Sequence, residues 1–298
     1  MSTFVLLTIT GLGLGAMYFL VASGLSLIYG LMGVLNFAHG AFITFGGYAA
    51  WWLTTQVTMS FEGELLLATG FALVVGALLG IVVEVVFIRP LYRRPVEQVL
   101  VTVGLALSLG ALVFGIWGAD PKPFSLPDWV FDTTTILGAN IPNDRFVEIG
   151  VAAVVLVGLV VFLRFTRIGL IIRAGVENRG MVTALGIDVR RAFTLVFALG
   201  GALAALAGVL SGVYFGSIDP TRGTTLLIFA FIVVVIGGFG SIEGSALAAV
   251  AVGLVQQYAN YYAADWLDWS GAGDVAVMLL LASVLLLRPA GLAPKVAH

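Results

Sequence analysis

Apolar stretches recur along the whole chain, over residues 4–29, 37–56, 65–88, 98–118, 147–163, 192–215, 224–236, 245–262 and 273–287, separated by short polar segments. Most are near the ~20 residues that a helix needs to cross the hydrocarbon of a bilayer. No water is available there to satisfy loose backbone groups, so spans of this kind are helical. The alternating signal of a membrane barrel is absent. The pattern predicts an all-α, polytopic transmembrane bundle of eight or nine spans. No polar stretch is long enough to fold by itself, which makes residues 1–298 a single membrane domain. The run beginning at Phe4 lacks a basic leader and a small-residue cleavage site, and reads as a retained span.

Composition agrees: 60% of the residues are hydrophobic, 10% are charged and the mean hydropathy is +1.11. A net charge of -2 leaves no basic excess for a phosphate backbone, which excludes nucleic acid as a partner. With no cysteine there is no disulfide or thiolate chemistry, and with His39 and His298 the only histidines no metal site is expected.

The basic residues orient the spans. Arg89, Arg93 and Arg94 fall in one loop, Arg164, Arg167, Arg173, Arg179, Arg190 and Arg191 in a second, and Arg288 and Lys295 near the end. The positive-inside rule places these segments in the cytoplasm. Lys122, Arg145 and Arg222 fall outside, and nine crossings put the N-terminus outside as well.

Two glycine-rich breaks interrupt the apolar pattern. In residues 28–47, Gly30, Gly33 and Gly40 bracket Asn36 and His39; in residues 234–255, Gly237, Gly238, Gly240 and Gly244 bracket Ser241 and Glu243. Glycine is costly inside a helix, and freed backbone at membrane depth survives only where it is buried in protein or lines a wet cavity. Paired interruptions in two halves point to a transporter's pathway, so Asn36, His39, Gly40, Gly238, Ser241 and Glu243 are the candidate pathway residues. The halves read as a divergent repeat of parallel sense. The plain alternative is two turns at the cytoplasmic surface, and a lone His39 is more often a packing residue than a proton carrier.

The loop at about 164–191 carries an apolar periodicity from Ile168 through Leu185, with Gly186 placed to stop a short amphipathic helix. Such a face either lies on the membrane or fits a partner's groove. Glu84, in an apolar span, calls for a cation from the following loop, with Arg89 a turn and a half away.

Six segments together resemble one family: GLSLIYGLMGVLNFAHGAFITFGGY at 24–48, EVVFIRPLYRRP at 84–95, VTVGLALSL at 101–109, RAGVENRGMVTALGID at 173–188, FALGGALAALAGVLSG at 197–212 and GGFGSIEGSALAAV at 237–250. Their order and spacing are similar to those of the membrane permeases of ATP-binding-cassette importers of the branched-chain amino acid type, and LNFAHG and RPL to the first of the two paired permeases. The resemblance implies a complex with a second homologous permease, two cytoplasmic ATPases and an external solute-binding protein. It also implies that Arg173, Glu177, Asn178, Ala184 and Gly186 belong to a coupling helix that docks on the ATPase. Val176–Arg179 departs from the family's usual run of alanine and acidic residues. No phosphate-binding loop is present, so ATP would be hydrolysed by partners and no cofactor held on this chain. A stand-alone secondary transporter or channel would place ionisable groups deep in several spans, and a membrane enzyme would gather carboxylates or histidines at one face; neither pattern is present.

Overall fold

The apolar stretches become helices with little adjustment. The computed structural model describes residues 2–33, 35–57, 61–124, 127–186, 189–269 and 271–293; the side chains at 31, 32, 61, 62, 128, 131, 176–180, 189 and 267 are outside that description. The helices are α1 (Ser2–Met32), α2 (His39–Gln56), α3 (Phe61–Val82), α4 (Pro95–Trp117), the single turn α5 (Asp128–Phe131), α6 (Asp144–Phe165), α7 (Arg167–Ala184), α8 (Val189–Phe215), α9 (Arg222–Gly237), α10 (Ile242–Leu267) and α11 (Ala272–Leu287). After Val82 the axis of α3 continues through a π-helical turn, Val83–Ile88, and a 3₁₀ turn, Arg89–Leu91.

Among the described residues, five helical segments are long and apolar enough to cross a bilayer unaided: Ser2–Gly30, Gly63–Leu91, Pro95–Trp117, Asp144–Phe165 and Arg190–Phe215. Helices α9 and α10 form a pair bent by 118° at their break. The 16 residues of α11 rise about 24 Å, short for a full crossing.

Small residues decide which helices touch. Lipid tails are as apolar as leucine, so association in a membrane rests on close packing rather than on escape from water. Gly11 and Gly15 of α1 lie against Gly253 and Ala249 of α10, and Gly80 and Gly76 of α3 lie against Phe197 and Gly201 of α8. Each set is one helical turn apart, and in both pairs rising numbers on one helix meet falling numbers on the other, so both pairs are antiparallel. A side chain at Gly201 or Gly76 would enter the backbone opposite it.

These two crossings relate α1–α3 to α8–α10. The C-terminal end of α1 and the N-terminal end of α8 both lie at the arginine-rich face, so the related units have opposite sense. The helices that precede the two breaks, α1 and α9, both end near this face, where Gly30 meets Gly240, so the breaks themselves share one sense. Inverted units are a familiar way to build a two-sided pathway.

The core lies where the units interleave. Met17, Leu20, Leu25, Phe42, Phe193 and Phe197 are fully or almost fully buried among α1, α2 and α8. A smaller cluster at the opposite face packs Tyr48, Val113, Phe124, Val213 and Ile218. Strand β1 (Lys122–Pro123) there pairs with β4 (Ser217–Ile218), tying the chain after α4 to the α8–α9 turn. The hairpin of β2 (Thr133–Ile136) and β3 (Ala139–Pro142) turns at Leu137, held at φ 51°. Hydropathy reads this stretch as a polar external segment and gives no hint of its short strands.

Candidate translocation groove and docking face

The first break folds the chain back along α1. Gly30 reaches Gly240, and the Tyr29 ring packs on Phe239 with centroids 4.4 Å apart. The chain then turns back. Phe37 packs on Phe231 at 5.2 Å, and His39 Nε2 lies 3.2 Å from the carbonyl oxygen of Val21, near the middle of α1. A carbonyl only accepts, so Nε2 carries the hydrogen and Nδ1 is left as an acceptor. Helix α2 thus starts beside the middle of α1 rather than at its end.

Asn36 shapes that start. Its Oδ1 accepts from the Ala38 amide at 3.1 Å, and its carbonyl accepts from the His39 amide at 3.2 Å. This Asx turn gives partners to backbone groups that hydrocarbon would leave bare. Both side chains are buried, and Asn36 Nδ2 and His39 Nδ1 have no partner among the described residues. Asn36 and His39 face protein, against α1, while Gly40 is on the other side of α2.

There Gly40 opens onto a groove between α2, α4 and α9. Phe37, Ala41 and Thr44 line one wall, Val103, Ala106, Leu107, Gly110 and Val113 the second, and Pro220, Thr224 and Leu227 the third. Its walls are mainly apolar, with hydroxyls of Thr44 and Thr224 among them. The groove follows α2 from the break toward the face that holds Trp51 and Trp117.

The second break is a different object. Gly238 caps α9, Gly240 adopts φ 75°, and Ser241 Oγ accepts from the Gly244 amide at 3.0 Å to cap α10. The chain after α11 closes the break from below: the Leu292 amide donates to the Ile236 carbonyl at 2.8 Å and the Ala293 amide to the Gly237 carbonyl at 3.1 Å. Glu243 is exposed and accepts from Arg164 at 2.5 Å. Gly238, Ser241 and Glu243 therefore gather at the arginine-rich end, away from the groove that Gly40 lines. What joins the two breaks is the Gly30–Gly240 contact.

Helix α7 follows α6 with one intervening residue, Thr166, whose Oγ1 accepts from the Gly169 amide at 2.9 Å. Ile172 and Val182 are buried beneath it, whereas Leu170, Arg173, Ala184 and Leu185 are exposed. Gly186, at φ 78°, donates its amide to the Thr183 carbonyl and ends the helix. The side chains of Glu177 and Asn178 lie outside the described residues. What is described is an exposed, partly apolar helix end at the arginine-rich face.

The comparisons with known proteins decide the class. Residues 7–287 match the family described as branched-chain amino acid transport system / permease component. The chain belongs to this family. It is 31% identical over 292 residues to the high-affinity branched-chain amino acid transport system permease protein LivH of Escherichia coli (strain K12), covering 95% of this chain and 92% of that one. It is 31% identical over 294 residues to the corresponding protein BraD of Pseudomonas aeruginosa, covering 95% and 94%. It is also 30% identical over 258 residues to the fructose import permease protein FruF of Bifidobacterium longum, covering 84% and 69%. The chain is a multi-pass membrane protein, the transmembrane permease subunit of an ATP-binding-cassette importer, and not an enzyme.

Two polar clusters lie elsewhere in the bundle. Glu84, fully buried in the π-helical turn, accepts from Arg89 Nη2 at 2.8 Å, from Arg89 Nε at 3.2 Å and from Thr194 Oγ1 at 2.9 Å. The Tyr92 hydroxyl also donates to Glu84. The π turn rotates Glu84 inward toward α8, a use of such turns that sequence spacing does not reveal.

The second cluster escapes sequence reasoning altogether. Asp144, Arg145 and Glu148 occupy the first turns of α6, which the charge pattern assigns to an external segment. In the fold Arg145 sits 2.9 Å from Asp144 and 3.8 Å from Glu148, and its guanidinium carbon stands 3.4 Å over the Tyr214 ring. Glu148 is fully buried and lies where a side chain at Gly13 would be. The available signal was the run of Asp144, Arg145 and Glu148 on one helical face at the start of an apolar span.

Proposed function

We propose that the permease forms one half of the pathway for branched-chain amino acids or related small solutes across a bacterial inner membrane, with its arginine-rich face in the cytoplasm. The solute class follows that of LivH and BraD, permeases of high-affinity branched-chain amino acid transport systems. Its partners are a second homologous permease, two cytoplasmic ATPases and an external solute-binding protein. ATP is hydrolysed by the ATPases, and this chain binds no cofactor.

The groove between α2, α4 and α9 carries the reading. It starts where α2 begins and extends toward the tryptophan-bearing face, walled by α2, α4 and the start of α9. Gly40 and Thr44 then belong to the pathway wall. Asn36 and His39 stand behind that wall and hold the re-entrant chain to α1. Gly238, Ser241 and Glu243 form the cytoplasmic threshold, linked to the wall by Gly30 and Gly240.

The exposed end of α7, at Ala184 and Gly186, docks on the ATPase, with Glu177 and Asn178 as further coupling residues of the same helix and Arg173 at its base beside Arg164. Because Thr166 alone separates α7 from α6, a displacement of α7 is carried into α6 without slack. The α7 movement that accompanies ATP binding would rock the inverted units about the groove, exposing it to one side and then the other.

The test is reconstitution of the permease with its paired permease, ATPases and binding protein in vesicles, followed by ATP-dependent uptake of labelled leucine. Saturable uptake that excess fructose leaves unchanged is the expected result. Uptake competed by fructose and not by valine would give the pathway to sugars; uptake without ATPases would overturn the importer reading.

A further inference from the structure

Helices α6 and α10 touch little, and a crevice in two parts, an inner and an outer pocket with no lining residue in common, follows the seam between them. On α6 its lining follows one helical face through Ile149, Ala152, Ala153 and Leu156, then one turn on through Val160, Leu163 and Arg164. On α10 it follows Val250 and Ala246, then Glu243 and Ile242 one turn nearer the cytoplasm. Gly15 and Ala16 of α1 form its floor. The inner part is almost wholly apolar; the outer part is bounded by Arg164, Arg173 and Glu243.

We infer that this crevice binds an anionic phospholipid of the cytoplasmic leaflet, with one acyl chain between α6 and α10 and the phosphate at Arg164 and Arg173. The two ends differ in chemistry in the sense that a lipid requires. From Arg164 to Ile149 the axis of α6 advances about 22 Å, enough for an acyl chain to pass through one leaflet of a hydrocarbon core ~30 Å thick. Small side chains at 15, 16, 152, 153 and 246 leave room for a chain, which an empty crevice in lipid would not keep free.

The charge at the outer end selects the head group. Arg164 is paired with Glu243, and Arg173 donates to the Arg164 carbonyl at 3.4 Å, so the two cations exceed the one anion. A basic pocket between spans on the cytoplasmic side matches a lipid phosphate, whose negative charge the local excess attracts. Zwitterionic lipid gains less there because its ammonium meets the same arginines.

The experiment uses the purified full-length permease in detergent, incubated with phosphatidylglycerol or phosphatidylcholine and examined by native mass spectrometry. Retention of phosphatidylglycerol in preference to phosphatidylcholine is expected. Arg173→Gln should lower that retention about fivefold, the effect of one basic residue near a lipid surface, and Ala246→Phe, which fills the apolar part, should lower it as well. Equal retention of the two lipids, or retention unchanged in both variants, would overturn the inference. So would displacement by inorganic phosphate with Ala246→Phe without effect, which would leave only a soluble-anion pocket. Should either variant fail to fold, phosphatidylglycerol bearing a photoreactive acyl chain is crosslinked to the wild-type chain. Label on α6 and α10 supports the site, and label elsewhere refutes it.

Discussion

Gly30 and Gly240 pass so closely that a methyl group on Gly30 would stand 3.0 Å from the Gly240 Cα, and this contact binds the two chain breaks to each other. Gly240 also holds φ 75°, a conformation that costs a β-branched residue roughly 1–3 kcal/mol. Gly240→Val should lower the melting temperature of the detergent-solubilised permease by several degrees. Gly104→Ala, on a face with nothing within 4 Å, should leave it unchanged or slightly raised. Equal melting of the two variants would show that the contact is dispensable.

The Glu84 cluster predicts an asymmetric response. Glu84→Ala leaves Arg89, Tyr92 and Thr194 without their common acceptor, a loss of about 2–4 kcal/mol once the one-third exposure of Arg89 is allowed for. Arg89→Lys keeps the charge but not the two-pronged contact, and should cost about 1 kcal/mol. Thermal unfolding of both single variants and the double variant measures the coupling. A coupling energy near zero would reduce the pair to an incidental contact.

Gly110 faces the groove and open space, so Gly110→Phe obstructs the groove without striking a neighbouring helix. ATP-driven uptake should fall by an order of magnitude or more while the ATPases still co-purify. Gly40→Leu is the less informative probe, because Gly40 also packs on the Gly223 carbonyl and its loss mixes blockage with unpacking. Normal uptake by Gly110→Phe would place the pathway elsewhere.

At the docking face, Leu185→Asp puts a charge on an exposed apolar position next to the Gly186 stop. Retention of the ATPase by the solubilised permease should drop at least tenfold, with no change in melting temperature because Leu185 is 69% exposed. Gly186→Val adds strain of about 1–2 kcal/mol at φ 78° and should weaken docking as well. Undiminished retention in both variants would assign ATPase contact to another loop.

Much of the fold was legible because the bilayer imposes one period on every crossing. The nine apolar stretches lie on α1, α2, α3, α4, α6, α8, α9, α10 and α11; the third runs on through the π turn to Ile88, and the others overrun their helix ends by two residues at most. Gly186 could be read as a helix stop because positive φ after a helix nearly demands glycine. What could not be read was partnership. Gly76 chooses Gly201, and Gly15 chooses Ala249, through shape alone, and hydropathy is blind to shape. Depth was hidden for the same reason: Asn36 and Ser241 follow similar glycine-rich runs, yet Asn36 lies beside the middle of α1 and Ser241 at the arginine-rich end. Charge counting gives Arg145 a side of the membrane but not its surroundings, the Tyr214 ring and two carboxylates that enclose most of it.

The antiparallel contact of α1 with α10 sets a schedule for biosynthesis. Gly11 and Gly253 are about 240 positions apart, an interval that takes roughly 12–50 s at ribosomal rates of ~5–20 residues per second. Throughout that time the first span is already in the bilayer, with its narrow glycine face met only by lipid. Insertion must therefore precede assembly, and a permease stalled before α10 would be membrane-bound but unassembled, a ready substrate for membrane proteases.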